Sequence, residues 1–283
     1  MPAFTAPDGT ELAYHVRGEG EPLLCVPGGP MRASAYLGDL GGLAAHRRLV
    51  LLDLRGTGDS EVPADPATYR CDRQVADVEA LRDHLGLDRV DLLAHSAGGD
   101  LALLYAARHP RRVRTLTLVT ARARALGVDF TEEHRREAAA LRANEPWFEA
   151  AYGAYERIWA GSDADADWDA VAPFFYGRWD AAARAHAAAD VEQSNFEAAE
   201  VYAASGAFSP AATRAVIGTL DAPVLLLSGE LDSGPLPRVA GRIAELFPKA
   251  QLTVKAGSGH FPWLDDPEGF TRTVSAFLQA GSV

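Results

Sequence analysis

Short apolar runs alternate along this chain with longer stretches in which apolar residues return every three or four positions. The runs 22–26, 48–52, 90–93, 113–119 and 223–227 read as strands whose apolar character fits burial on both faces, and 251–255 reads as a last strand. Between them, 72–85 carries Val75, Val78, Leu81 and Leu85 at helical spacing and stops at Gly86. Small helix-forming residues fill 99–108 until His109-Pro110 ends the run, and 34–44, 238–247 and 267–278 read as further helices. At the start, Phe4-Thr5, the turn Pro7-Asp8-Gly9-Thr10 and the alternation of Leu12, Tyr14 and Val16 predict an antiparallel hairpin at one sheet edge. Strands separated by helices rather than by hairpin turns predict an α/β fold, a mostly parallel sheet with helices on both faces.

The pattern changes between 121 and 217. These residues show no strand pattern, yet they hold 14 of the chain's 24 Phe, Trp and Tyr residues, where an even spread gives about eight. The block reads as an inserted helical cap, with 1–120 and 218–283 forming the core. Trp147, Phe148, Tyr152, Tyr155 and Trp159 recur at roughly helical intervals, the spacing of a packed face. From this group and from Phe174, Phe175, Tyr176 and Trp179, the residues Trp147, Tyr155, Trp159 and Phe174 are the candidates for lining an apolar substrate cavity. Asp163, Asp165, Asp167 and Asp169 alternate in an alanine-rich stretch, which reads as a solvated loop entering a helix, because the glycine and distal glutamate of a calcium loop are missing.

With 283 residues, 48% hydrophobic and 23% charged, the chain suits one large domain with an inserted subdomain. A formal charge of -12 argues against nucleic acid or an anionic membrane as partner, since both call for a basic face. Cys25 and Cys71 lie far apart, without metal-ligand spacing, and Cys25 falls inside a strand-like run, so they read as thiols rather than a disulfide. No basic start followed by an apolar run opens the sequence, and no apolar stretch is long enough to span a bilayer, which sets a cytoplasmic location as the expectation. His15, His46, His84, His109, His134 and His186 show no ligand spacing, so neither metal nor cofactor is expected.

The chemistry gathers at Ala94-His95-Ser96-Ala97-Gly98, where a buried strand turns into a helix. Such a turn lifts a serine hydroxyl above the sheet edge and needs small residues around it, because strand and helix backbones crowd there. Gly98 and Gly99 meet that need, while Ala94 stands where glycine is usual. A serine hydroxyl is a weak nucleophile unless an imidazole takes its proton, and that imidazole needs a carboxylate on its other nitrogen. Asp232 and His260 lie in loops after later strands, on the same carboxyl edge of the sheet, in the order Ser, Asp, His. His95, fixed beneath the serine, reads as a packing or bonding residue rather than the base.

Over nearly its whole length the chain resembles the α/β-hydrolase superfamily. The resemblance rests on Gly28-Gly29, Asp53-x-Arg55-Gly56-x-Gly58-x-Ser60, His95-Ser96-x-Gly98-Gly99, Gly229-x-x-Asp232 and Gly259-His260, in that order. It implies Ser96 as nucleophile, Asp232 as acid, His260 as general base, and the N–H groups of Gly29 and Ala97 as an oxyanion hole. Glu230 is the competing acid; the resemblance places the acid three residues after Gly229. Pro27-Gly28-Gly29-Pro30 with Asp53-x-Arg55-Gly56 is most similar to the prolyl aminopeptidase (proline iminopeptidase) branch, although that branch usually has His at the position of Pro27 and Trp at that of Ala97. A peptidase of this kind must grip a substrate ammonium, for which Glu192 and Glu200, spaced with Phe196 along one helical face, are candidates. Three functions follow: a serine hydrolase acting on an ester or amide of a small molecule or short peptide, a prolyl aminopeptidase, and a ligand-binding protein of the same fold with little turnover.

Overall fold

The computed structural model describes residues 2–281. An antiparallel pair, β1 (Ala3–Thr5) and β2 (Glu11–Arg17), opens the chain with Phe4 opposite Leu12. Next come β3 (Pro22–Val26), β4 (Arg48–Leu52), α1 (Cys71–His84), β5 (Val90–His95), α2 (Gly98–Arg108) and β6 (Val113–Val119). Helices α3 (Glu132–Ala140), α4 (Phe148–Trp159), α5 (Asp165–Val171), α6 (Ala181–Ala188), α7 (Asp190–Gln193), α8 (Phe196–Tyr202) and α9 (Pro210–Ile217) then intervene. The sheet resumes with β7 (Val224–Gly229), α10 (Pro237–Ala244) and β8 (Ala250–Lys255), and α11 (Pro262–Asp265) and α12 (Pro267–Ala280) end the fold. One sheet of 8 strands runs β1-β2-β4-β3-β5-β6-β7-β8, with β3 to β8 mutually parallel and the hairpin antiparallel at the edge.

Because side chains alternate across a strand, the buried runs feed two cores at once. Leu24, Val26, Val50, Leu92, Ala94 and Leu226 pack with Val75, Leu101 and Val239 from α1, α2 and α10. Leu23, Cys25, Leu49, Leu51, Leu93 and Leu225 pack on the opposite face with Phe270, Val274 and Leu278 of α12. Both cysteines are buried free thiols. The stretch expected as one helix over 34–44 forms instead two short 3-10 turns, Ser34–Leu37 and Leu43–Ala45. Gly38, Gly41 and Gly42 between them all take positive φ, which interrupts a helix.

Among the described residues, 121–217 adds no strand to the sheet and builds a small core of its own from Ala139, Ala151, Ala154, Tyr155, Val171 and Phe174. The alternating aspartates do lead into a helix, α5, but Asp167 is buried and accepts from Arg157 and from Ser162 Oγ at 2.6 Å. No described helix is long and apolar enough to cross a membrane.

The turn after β4 shows how the carboxyl edge is held. Asp53 accepts from Ser34 N–H and Oγ, each at 2.7 Å, and from Asp59 N–H at 3.0 Å. A Cβ on Gly58 would come within 2.2 Å of that carboxylate, and the residue's φ of 52° also favours glycine. Arg55, from the same turn, makes a two-pronged pair with Asp77 of α1 at 2.8 and 2.5 Å, both side chains almost wholly buried. Removing one partner leaves a buried charge short of its counter-ion, so Asp77→Ala should cost roughly 3 kcal/mol, read as a lowered urea midpoint at unchanged slope.

Candidate active site

Strand β5 ends at His95 and α2 begins at Gly98, so Ser96 and Ala97 make the turn by themselves. Ser96 has φ of 51°, in the left-handed region that a side chain ordinarily avoids. Neighbouring backbone forces this conformation. A Cβ at Gly98 would lie 2.4 Å from the Pro27 carbonyl, and one at Gly99 would lie 2.6 Å from that of Arg122. Ala94 keeps its register with Val26 and Leu118, its methyl buried in the core on the α2 side.

Ser96 Oγ lies 2.8 Å from His260 Nε2, and His260 Nδ1 lies 3.0 and 3.1 Å from the two carboxylate oxygens of Asp232. A carboxylate only accepts, so Nδ1 carries the proton and Nε2 faces the serine O–H as an acceptor. This arrangement can draw a proton from the serine as it attacks. Asp232 is fully buried, and its Oδ1 also accepts the Gly234 N–H at 2.8 Å. Glu230 is exposed and accepts the Gly257 N–H at 2.8 Å, which fastens the loop leading to His260.

The turn after β3 comes against the serine. A Cβ on Gly28 would lie 2.8 Å from Ser96 Cβ and 3.3 Å from the Ala97 nitrogen. The N–H groups of Gly29 and Ala97 have no acceptor among the described residues, and Ala97 stands at the electropositive start of α2. Two free donors near one serine suit a developing oxyanion.

Several positioning contacts carry no sequence signal. His260 N–H donates to the Phe175 carbonyl at 2.7 Å, and Gly259 and Gly177 N–H both donate to Asp265, at 2.8 and 3.0 Å. Thr120 Oγ1 donates to the His260 carbonyl at 2.9 Å. Residues Met31 to Ala33 pair with Gln193 to Asn195 through an antiparallel bridge at Arg32 and Ser194. The segment after β6 therefore grips both the base loop and the turn after β3. Only Gly259 and Gly177, crowded by carbonyls at 2.6 and 2.1 Å, hinted at these approaches through their residue type.

The residues proposed to contact substrate are placed differently. Tyr155 stacks on Phe174 at 4.8 Å and on Trp159 at 5.1 Å, and Trp147 meets Phe174 edge-on at 5.0 Å. They pack on one another. Glu192 and Glu200 do not share a helical face: Glu192 belongs to α7 and Glu200 to α8, with Asn195 between them capping α8 by accepting from Ala198 N–H. Both glutamates are exposed. An open cleft of about 310 Å³ is lined by Arg32, Tyr36, His186, Gln193 and Trp263, without Ser96 or His260 in its wall.

Comparison with known proteins gives the family and the fold. A family model described as alpha/beta hydrolase fold matches 21–267. A proline iminopeptidase of Lactobacillus helveticus is 38% identical over 117 residues, which is 39% of this chain and 40% of that protein, so the match spans about two fifths of the relative's length. The crystal structure of a proline iminopeptidase from Mycobacterium smegmatis superposes with a TM-score of 0.76 at 24% identity, covering 99% of this chain and 98% of that one, a likeness of fold. An esterase from Rhodococcus sp. ECU1013 superposes with a TM-score of 0.73 at 26% identity, covering 98% of each chain.

Two further imidazoles lie close by, each held neutral. His95 is pushed well below its ordinary value, first by burial and then by His260 beside it. Burial, with the Arg32 charge adding to it, lowers His186 from 6.5 to about 4. The unfolded chain takes up these protons near pH 6.5 and the folded chain does not, so stability from this source is intact above that pH and is lost as pH falls toward about 4. Urea midpoints should accordingly drop between about pH 7.5 and about pH 5, and His186→Gln should flatten part of that slope.

Proposed function

The chain belongs to the α/β-hydrolase fold family, and on that premise we propose that it is a cofactor-independent serine hydrolase acting on an ester or amide carbonyl. The observation that carries this reading is the 2.8 Å approach of Ser96 Oγ to His260 Nε2, with Asp232 on the far side of the imidazole at 3.0 Å. Ser96 attacks the carbonyl carbon as His260 takes its proton, and the resulting tetrahedral oxyanion is received by the N–H groups of Gly29 and Ala97. His260 then protonates the leaving group, which departs as alcohol or amine and leaves an acyl-enzyme on Ser96. Water, deprotonated by His260, attacks that acyl group and releases the acid, and the proton returns to Ser96. Asp232 stays ionised throughout and stabilises the imidazolium.

Residues 121–217 act as the cap. Ser96 and His260 are only 7% and 8% exposed, so substrate choice and water exclusion belong to the segments lying over them. A small acyl substrate fits this reading best, because the cap aromatics are spent on their own packing.

The second reading, release of an N-terminal proline, is favoured by the 38% identity of the matched stretch to the Lactobacillus helveticus proline iminopeptidase. It calls for carboxylates near the substrate ammonium, and the exposed, separated Glu192 and Glu200 do not supply a preformed pair.

Ser96→Ala should lower turnover of p-nitrophenyl acetate on the order of 10⁴-fold or more and abolish fluorophosphonate labelling; labelling that persists at another residue would move the nucleophile elsewhere. Proline arylamide and its N-blocked form separate the two readings. Cleavage of the free amine alone selects the aminopeptidase, whereas equal rates or no cleavage, with ester turnover intact, select the esterase.

A further inference from the structure

Gly28 N–H points at Tyr36 Oη, 2.7 Å away. The same oxygen lies 2.7 Å from His95 Nδ1. The hydroxyl can accept from Gly28 and still either donate to or accept from Nδ1, so the far side of the ring decides the direction. On the other side of the ring, His95 Nε2 lies 3.0 Å from the His260 carbonyl, an acceptor only, so in the neutral ring Nε2 carries the hydrogen, Nδ1 is unprotonated and the Tyr36 hydroxyl donates to it. The bonds fix one tautomer and one direction.

We propose that Tyr36 and His95 form a lock that positions the Gly28–Gly29 turn and the His260 loop on either side of Ser96. This rests on the serine-hydrolase reading above. One end of the lock fixes the peptide that precedes Gly29 and aims its N–H. The other end, with Thr120 Oγ1 at 2.9 Å, holds the His260 carbonyl and thereby the height of the imidazole over Ser96. The His95 ring lies 4.8 Å from both the His260 and the Trp263 rings, wedged where a shift would be transmitted to the base.

The lock continues into the cap. His186 repeats the pattern: its Nδ1 lies 2.8 Å from Tyr176 Oη and its Nε2 lies 3.1 Å from the Tyr36 carbonyl. Tyr176 follows Phe175, whose carbonyl takes the His260 N–H at 2.7 Å. The path from His260 through His95, Tyr36, His186 and Tyr176 thus returns along the chain to His260. His95 and Tyr36 are positioning residues, since neither touches the reacting atoms. An inert packing role would need the ring's shape but not its two polar ends.

The test compares Tyr36→Phe, His95→Leu and His95→Gln with the natural chain on p-nitrophenyl acetate, per site titrated with fluorophosphonate. A glutamine amide keeps one acceptor and one donor where leucine keeps neither. Tyr36→Phe and His95→Leu should lower kcat about 10²-fold with KM changed less than about threefold, the scale of loss from misplacing a reacting group by an ångström, while His95→Gln stays within about tenfold of the natural chain. Natural kcat in His95→Leu, or equal losses in the glutamine and leucine variants, would overturn the lock. If His95→Leu does not fold, the Tyr36→Phe loss decides. Histidine ¹⁵N spectra of the natural chain give an answer independent of turnover. His95 as a neutral Nε2–H ring from about pH 6 to about pH 9 supports the lock, and an Nδ1–H ring or a titrating one overturns it. A natural chain that neither turns over ester nor labels removes the hydrolase reading, and those spectra alone then settle the hydrogen-bond lock.

Discussion

The rest of the site depends on how closely the turn after β3 approaches the turn after β5. Strand β3 lies beside β5, and the chain leaves β3 toward β4 but leaves β5 the other way, toward β6, so a crevice opens at their carboxyl ends where the order reverses. At that crevice there is no room for side chains at Gly28 and Gly98, whose added Cβ atoms would lie 2.8 Å from Ser96 Cβ and 2.4 Å from the Pro27 carbonyl. The left-handed backbone of Ser96 follows from this crowding. Its cost, about 1–2 kcal/mol, is offset by well-made bonds: Ser96 N–H donates to Val119, and the Ser96 carbonyl accepts from Gly99 and Arg122 at 2.9 Å. The same crowding leaves the donors of Gly29 and Ala97 without partners beside the serine.

The segment between β6 and β7 is coupled to this arrangement at two places. Phe175 and Gly177 hold the His260 loop, directly and through Asp265, while Gln193 to Asn195 pair with the chain just after Gly29. Burial pushes the Asp265 carboxyl up, while three backbone N–H donors oppose that shift. A carboxylate committed to three peptide donors is a rigid staple rather than a proton carrier. By contrast, α4 and α5 pack mainly on themselves and on Phe174, with Phe175 against the same cluster and Tyr155 reaching Ser233 beside Asp232.

How much of this was legible in the sequence depended on the distance over which each feature is decided. The strand runs and the helix 267–278 are visible because burial imposes a local period, and the structure places β4 and β6 at the bounds the pattern gives. Ser96, Asp232 and His260 stand out because each follows its own strand on the carboxyl edge. The expected helix over 34–44 failed because three glycines of positive φ break it, and the supposed face of Glu192 and Glu200 failed because Asn195 starts a new helix between them. Aromatic spacing between 147 and 159 signalled packing but said nothing of what it packs against. Tyr36 and Asp265 were invisible: beside near partners at Gly28 and Gly259, each is fixed by one far along the chain, His95 59 residues away and Gly177 88 away, and neither has a neighbouring pattern that announces it.

Placing a second imidazole 4.8 Å from the base is a hazard, because a rival ring that accepted protons would compete for the one drawn from Ser96. Both nitrogens of His95 are already committed, one to the Tyr36 hydroxyl and one to the His260 carbonyl, and burial keeps the ring neutral. A proton arriving at His95 would displace the Tyr36 bond and place a buried cation beside the imidazolium of His260. On the proposed mechanism, the proton taken from the serine therefore has one favourable resting place, the ring that faces Asp232. In that proposed relay, neutral hydrogen bonding at His95 protects its direction as well as its geometry, so a histidine is compatible with the position immediately before Ser96.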